Sequence, residues 1–245
     1  LLFAYTFYIC RKGDVFMRRK MSIIVSIMVL LAMIAACCSF GEMLQTNIAQ
    51  SRESSASVSD GGRLVILDPG HGGIDAGKIG VNNAEEKEIN LKISLKIKTL
   101  LEREGISVMM TRTDDERLSD THRSDLEERV RIMNEEKPRL VVSVHQNSYQ
   151  SPEVKGPQVF YYTGSVEGRK AAEILQSGLN EIDPSYSRTA KENSSYYILK
   201  RAEVPVVIVE CGFLSNADEA DKLISDEYQE VVAKAIAEGI TGYVN

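Results

Sequence analysis

Beyond residue 38 the chain has one cysteine, Cys211, so that stretch can form no internal disulfide and must be held by packing. Basic residues do not prevail: 29 Lys and Arg stand against 35 Asp and Glu, for a net charge of −6. The acidic excess lies entirely after residue 60. Contact with a phosphate backbone needs a basic surface, so nucleic acid is excluded as a partner. No internal repeat is present, which excludes repeat architectures. Histidine is scarce, with three in 245 residues, so the place of each is informative. What remains, 43% apolar and 26% charged, describes one ordinary globular domain plus extras, expected to be monomeric.

The extras lie at the N-terminus. Arg18, Arg19 and Lys20 precede an uncharged stretch from Met21 to Gly41 whose apolar heart is Ile23 to Ala36. A basic segment ahead of such a run is an export signal, and the run nearly suffices to span a bilayer. It shows no amphipathic stripe of the kind a buried domain helix would carry. Ile34-Ala35-Ala36-Cys37 also resembles the lipobox that precedes the lipidated cysteine of bacterial lipoproteins. Residues 1–41 are therefore expected to be an export signal, either cleaved or kept as a membrane or lipoprotein anchor, with the rest of the protein extracytoplasmic. Met17 or Met21 makes a more ordinary start for such a signal than Leu1. Residues 42–62, rich in Ser, Gln, Asn, Ala and Gly without apolar periodicity, read as a linker. The domain then covers 63–245.

Within it, apolar runs alternate with helical patterns. Strands are expected near 63–68, 106–111, 139–145, 157–163 and 205–210, with a further one near 196–201. Helices are expected near 86–104, 122–136, 166–181, 217–224 and 226–243. Strands alternating with helices predict an α/β layered fold with a largely parallel central sheet flanked by helices. In such sheets ligands bind beyond the carboxyl ends of the strands.

Three residues stand at such ends and a fourth at a helix start. His71 follows Val65 to Leu67 in Asp68-Pro69-Gly70-His71-Gly72-Gly73, His145 ends the run Leu140 to Val144, and Glu210 ends Val206 to Val209. Glu86 stands just before a helical pattern. Two imidazoles and one carboxylate make the ligand set of a catalytic zinc with an open fourth position, and one further carboxylate is left to handle protons. Each has a plainer alternative. The histidines could be ordinary loop or strand-end residues, Glu86 could serve the helix dipole beside Glu85 and Glu88, and Glu210 without a function would be a carboxylate left at a buried strand end at real cost. Cys211 invites a thiol-nucleophile role, but no motif pairs it with a histidine. His122 is expected to be solvated at a helix start. Asp68 and Asn147 are candidates for orienting His71 or touching substrate, and Arg112 and Arg129 for that or for structural ion pairs.

The chain resembles a known family, the zinc-dependent N-acetylmuramoyl-L-alanine amidases that cut bacterial peptidoglycan. The matching residues are Leu67 to Gly77, Glu86-Lys87-Glu88-Ile89-Asn90-Leu91, Thr111-Arg112, Ser143 to Ser148, and Val209-Glu210-Cys211-Gly212-Phe213-Leu214-Ser215-Asn216. They occur in the family's order and cover roughly residues 63 to 244. The resemblance implies that His71, Glu86 and His145 bind Zn2+ and that Glu210 is catalytic. It implies hydrolysis of the amide between the lactyl group of N-acetylmuramic acid and L-alanine, with no organic cofactor. The compact single-domain form and Leu126 to Val130 most resemble the sporulation amidases that prepare spore cortex. The segment Gly164 to Ser195 has room for one helix and a polar loop, so the extra autoinhibitory helix of some cell-division amidases is not expected. A membrane or lipoprotein partner is compatible with the N-terminus. Two alternatives stay open: a zinc peptidase acting within the stem peptide, and a non-catalytic wall-binding regulator.

Overall fold

The computed structural model describes residue 28 and residues 63–245; the expectations for 1–41 and 42–62 otherwise lie outside the described residues. Among those, no helix is long and apolar enough to cross a membrane. Strands β1 (Val65–Pro69), β2 (Val108–Met110), β3 (Leu140–Asn147), β4 (Gln158–Tyr162), β5 (Lys191–Asn193) and β6 (Val206–Phe213) form one sheet in the order β2-β1-β3-β6-β4-β5. All neighbours run parallel except β4 against β6. Helices α1 (Glu86–Arg103), α2 (His122–Glu136), α3 (Val166–Asn180), α4 (Tyr197–Arg201), α5 (Ala217–Ile224) and α6 (Asp226–Val244) flank it. The alternating patterns of the sequence predict this layered α/β architecture, and the structure has it.

Successive side chains leave a strand on opposite faces, and here both faces are covered, which is why the central strands read as unbroken apolar runs. One face sets Leu67, Leu140, Val142, Val144, Val207 and Val209 against α1, α3, α5 and α6. The other sets Ile66, Val141, Val206 and Ile208 against Val130 and Met133 of α2 and Ile198 and Leu199 of α4. This second layer is thinner, because α4 is five residues long. The register pairs Asp68 with Ser143 and His145 with Glu210, so the same alternation puts all four on the thinner side; β3 and β6 run on past the expected ends at 145 and 210, to Asn147 and Phe213.

The stretch 196–201 is a helix and not the strand its pattern suggests. Only Ile198 and Leu199 are buried there, and a run that short fits either structure until tertiary contacts decide. Strand β5 has no apolar signal at all; it is a three-residue charged edge added to β4, as sheet edges commonly are.

Arg129, 1% exposed, knits the thin layer together. Its Nη1 donates to Asp68 at 2.6 Å and to the Pro69 carbonyl at 2.9 Å, its Nε to Asp125 at 2.7 Å, and its Nη2 to the His71 carbonyl at 2.7 Å. The Thr111 and Ser143 hydroxyls also donate to Asp68, each at 2.7 Å. Among the described residues Arg112 forms no such ion pair and instead donates to the carbonyls of Pro69, Gly70, Lys87 and Asp114.

Burial alone would raise the pKa of Asp68, but the Arg129 charge and the hydrogen bonds prevail and hold it below its ordinary value of 3.8. Its stabilisation is therefore complete above that value and lost as pH falls through the lower folded one. Arg129→Met should leave a buried uncompensated carboxylate and destabilise the fold by about 3–5 kcal/mol at neutral pH. The difference from wild type should narrow below about pH 4 as the carboxylate takes up a proton; denaturant unfolding at two pH values measures both.

Candidate metal centre

The chain after β1 must turn sharply to bring His71 back over the sheet. His71 sits at φ 63°, a left-handed backbone that costs a non-glycine residue about 1–3 kcal/mol. The Arg129 bond to its carbonyl and the Arg112 bonds to the two preceding carbonyls hold it there. Gly70 must be glycine for a steric reason: a Cβ at that position would lie 2.1 Å from the His145 ring. At Gly77, φ 67°, a Cβ would lie 2.6 Å from the His71 ring and 2.7 Å from Glu86 Oε2.

Glu86 is the first residue of α1, which has no side-chain cap. Its amide donates instead to the Lys78 carbonyl, and that of Lys87 to Ala76, so the helix start is fastened to the glycine-rich loop. The carboxylate is fixed by backbone amides, from Lys78 to Oε2 at 2.7 Å and from Gln146 to Oε1 at 3.0 Å. Asn90, one turn on, donates to Oε1 at 3.5 Å and to the Gly70 carbonyl at 3.1 Å.

The structure brings His71, Glu86 and His145 together, with one candidate ligand atom from each lying within 4.8 Å of the others. His71 Nε2 is 3.2 Å from Glu86 Oε2, and His145 Nδ1 is 2.9 Å from Oε1. The rings meet edge to face with centroids 5.0 Å apart, each one fifth exposed, while the Glu86 carboxylate is nearly sealed. Burial works against both charges, yet the imidazole hydrogen bonds hold Glu86 well below the carboxylate range. For His71, burial would lower the pKa, but Glu86 and Asp75 raise it to about 9. Two nitrogens and a carboxylate oxygen facing one point, with glycines clearing the space around them, fit a divalent cation such as zinc, which would take the place of the imidazole protons.

Glu210 stands across the β3–β6 pair from His145 and is 8% exposed. Its Oε2 is buried with no hydrogen-bond partner among the described residues. Burial, with the negative Glu86 adding and the two histidines opposing, raises its pKa to about 7. A buried acid near neutrality with a free oxygen is suited to exchanging protons.

The other candidates fall elsewhere. Asp68 reaches Arg129, Thr111 and Ser143, not the His71 ring. The partner of that ring is Asp75, whose Oδ2 lies 3.0 Å from Nδ1; its place four residues on, inside a glycine-rich loop, was the available signal. Asn147 Oδ1 accepts from the Ser148 amide. His122 is largely exposed, with Nδ1 3.3 Å from Asp75 Oδ2. Cys211 is fully buried in the larger core on the opposite face, and burial pushes its thiol pKa up, which removes it as a nucleophile.

Comparison with known proteins agrees with the fold. A family described as N-acetylmuramoyl-L-alanine amidase matches residues 65–242. The germination-specific N-acetylmuramoyl-L-alanine amidase of Bacillus subtilis is 34% identical over 190 residues, covering 74% of this chain and 80% of the relative. The amidase AmiA of Escherichia coli is 29% identical, covering 82% and 83%. Among solved structures, the CwlD amidase of Clostridioides difficile, in complex with the GerS lipoprotein, superposes with a TM-score of 0.71 at 35% identity, covering 74% of this chain and 98% of that one. With its six-stranded sheet, its His-Glu-His cluster and a match over most of its length, the chain belongs to the N-acetylmuramoyl-L-alanine amidase family.

Proposed function

We propose that this chain hydrolyses the amide between the lactyl group of N-acetylmuramic acid and L-alanine in peptidoglycan, using zinc held by His71, Glu86 and His145, with Glu210 moving the protons. The observation that carries this is the meeting of two imidazoles and a carboxylate beside a separately buried carboxylate with an unpartnered oxygen. Bound there, zinc supplies a Lewis acid that polarises the scissile carbonyl and activates water near neutral pH. Asp75 steadies the His71 ring through Nδ1, leaving Nε2 for the metal, and the Lys78 and Gln146 amides fix Glu86. Glu210, with its pKa near 7, takes a proton from the attacking water and returns it to the departing alanine nitrogen. The thin layer over the sheet leaves that carboxylate facing a cavity it shares with His145.

The substrate is assigned to spore cortex on the likeness to the germination-specific and CwlD amidases. Between Gly164 and Ser195 lie only α3, the 3-10 turn Pro184–Tyr186 and β5, with no additional helix to plug the site. Access then depends on a partner or on targeting, and the lipoprotein bound to the C. difficile neighbour supports a membrane-side partner of that kind. The catalytic domain is assigned to 63–245, the linker to 42–62, and an extracytoplasmic export or anchor segment to 1–41.

A chain beginning at Gly61 should fold and stay soluble; insolubility relieved only by restoring residues 21–41 would contradict that boundary. His71→Ala and His145→Ala should each lose stoichiometric zinc by metal analysis, and Glu86→Ala should do so at least partly. Asp75→Asn should weaken zinc binding by about 10–100-fold, read by competition with a chelator. Glu210→Gln should keep both zinc and fold while muropeptide release falls by about 10²–10⁴. Loss of metal in that variant would instead make Glu210 a ligand.

A further inference from the structure

Two amide side chains join the three segments that carry the candidate ligands. Gly70 precedes His71, Asn90 lies one turn beyond Glu86 on α1, and Gln146 follows His145 on β3. Asn90 Nδ2 donates to the Gly70 carbonyl at 3.1 Å and to Glu86 Oε1 at 3.5 Å, and Gln146 Nε2 donates to Asn90 Oδ1 at 3.1 Å. Both side chains are buried. The orientation of each amide is dictated in turn. A carbonyl and a carboxylate only accept, so Asn90 must present Nδ2 to them and Oδ1 to Gln146, which must answer with Nε2. Gln146 Oε1 is thereby turned away, and it is buried with no hydrogen-bond partner among the described residues. The Cys211 thiol lies next to this amide but is turned to the Val209 carbonyl, at 3.9 Å.

We infer that Gln146 is a positioning residue for the metal centre: through Asn90 it locks the Glu86 carboxylate and the backbone ahead of His71 in the arrangement that accepts zinc. The inference rests on the zinc ligands proposed above. A buried amide oxygen without a donor costs free energy, and an apolar side chain of the same size would fill the space without that cost. What Gln146 contributes is the bond to Asn90, which no apolar residue can make. Without it Asn90 is free to turn over. A reversed Asn90 would set Oδ1 against the Glu86 carboxylate and leave the Gly70 carbonyl to Arg112 alone. Groups that fix the orientation of a ligand in this way set how tightly the metal is held. The glutamine is therefore placed for the ligands rather than for the core.

The test measures, on the full chain, zinc affinity by competition with a chelator and, separately, denaturant unfolding of the zinc-free protein. Gln146→Met keeps the size but loses the donor, and should raise the zinc dissociation constant by about 10–100-fold. The change exchanges one unpartnered buried oxygen, Gln146 Oε1, for another, Asn90 Oδ1, so the zinc-free unfolding midpoint should stay close to wild type. A residue that only supported the fold would give the reverse, a lower midpoint with zinc affinity kept. Asn90→Ala should weaken zinc binding at least as much, and adding Gln146→Met to it should weaken binding no further, because the glutamine side chain acts through the asparagine. Wild-type affinity in Gln146→Met, a midpoint well below wild type, or losses that multiply in the double variant would overturn the inference while leaving the metal centre standing. If Asn90→Ala does not fold, the two measurements on Gln146→Met decide. A wild-type chain that binds no zinc would overturn both.

Discussion

The Arg129 guanidinium ties a strand, a helix and the first histidine's loop together by meeting Asp68 of β1, Asp125 of α2 and the carbonyls of Pro69 and His71. A buried charge persists only when its hydrogen-bonding capacity is met, and a planar fork can serve four acceptors that a lysine could not reach together. Arg112 does the same for the next stretch of backbone, bracing three carbonyls from two segments plus its own turn. Between them the two side chains compensate the unfavourable φ of His71. The position of the cluster is thus set by groups that hold the backbone of the His71 loop rather than the ligand side chains.

The two faces of the sheet divide the work. The larger core, built on α1, α3, α5 and α6, supplies most of the buried apolar surface, and the hydrophobic effect scales with that area. The thinner side gives up cover at the strand ends, and there the polar residues accumulate: Asp68, Ser143, His145 and Glu210. The reversed direction of β4 adds an edge without disturbing the parallel β1-β3-β6 centre on which those residues ride.

What the sequence made legible was whatever leaves a local mark. The largely aliphatic runs before His145 and Glu210 announce two strands, which the structure carries on past the expected ends to Asn147 and Phe213, and Gly70 to Gly73 announce a tight turn. The 196–201 stretch was misleading because two buried residues in a row carry no period, and β5 because a charged edge strand owes its existence to β4 alone. Asp75 was hidden by reasoning from strand ends, where Asp68 looked better placed; only the turn geometry reveals which carboxylate faces the imidazole. The cavity wall could not be read at all, since Leu126, Tyr196 and Ile208 come from three segments with no spacing in common.

His71, Glu86 and His145 follow β1, open α1 and end the apolar part of β3, and they converge only after β1 has paired with β3 and α1 has docked on both. An unfolded chain therefore presents no comparable chelate, and a cation captured by these three residues discriminates between the folded and unfolded states. Such an ion adds RT ln(1 + [L]/Kd) to the free energy of unfolding, about 2.7 kcal/mol at a hundredfold excess over Kd. In a domain without disulfides, the centre assigned to chemistry would double as a crosslink, and the ambient level of free metal would set the lifetime of the fold as well as its activity.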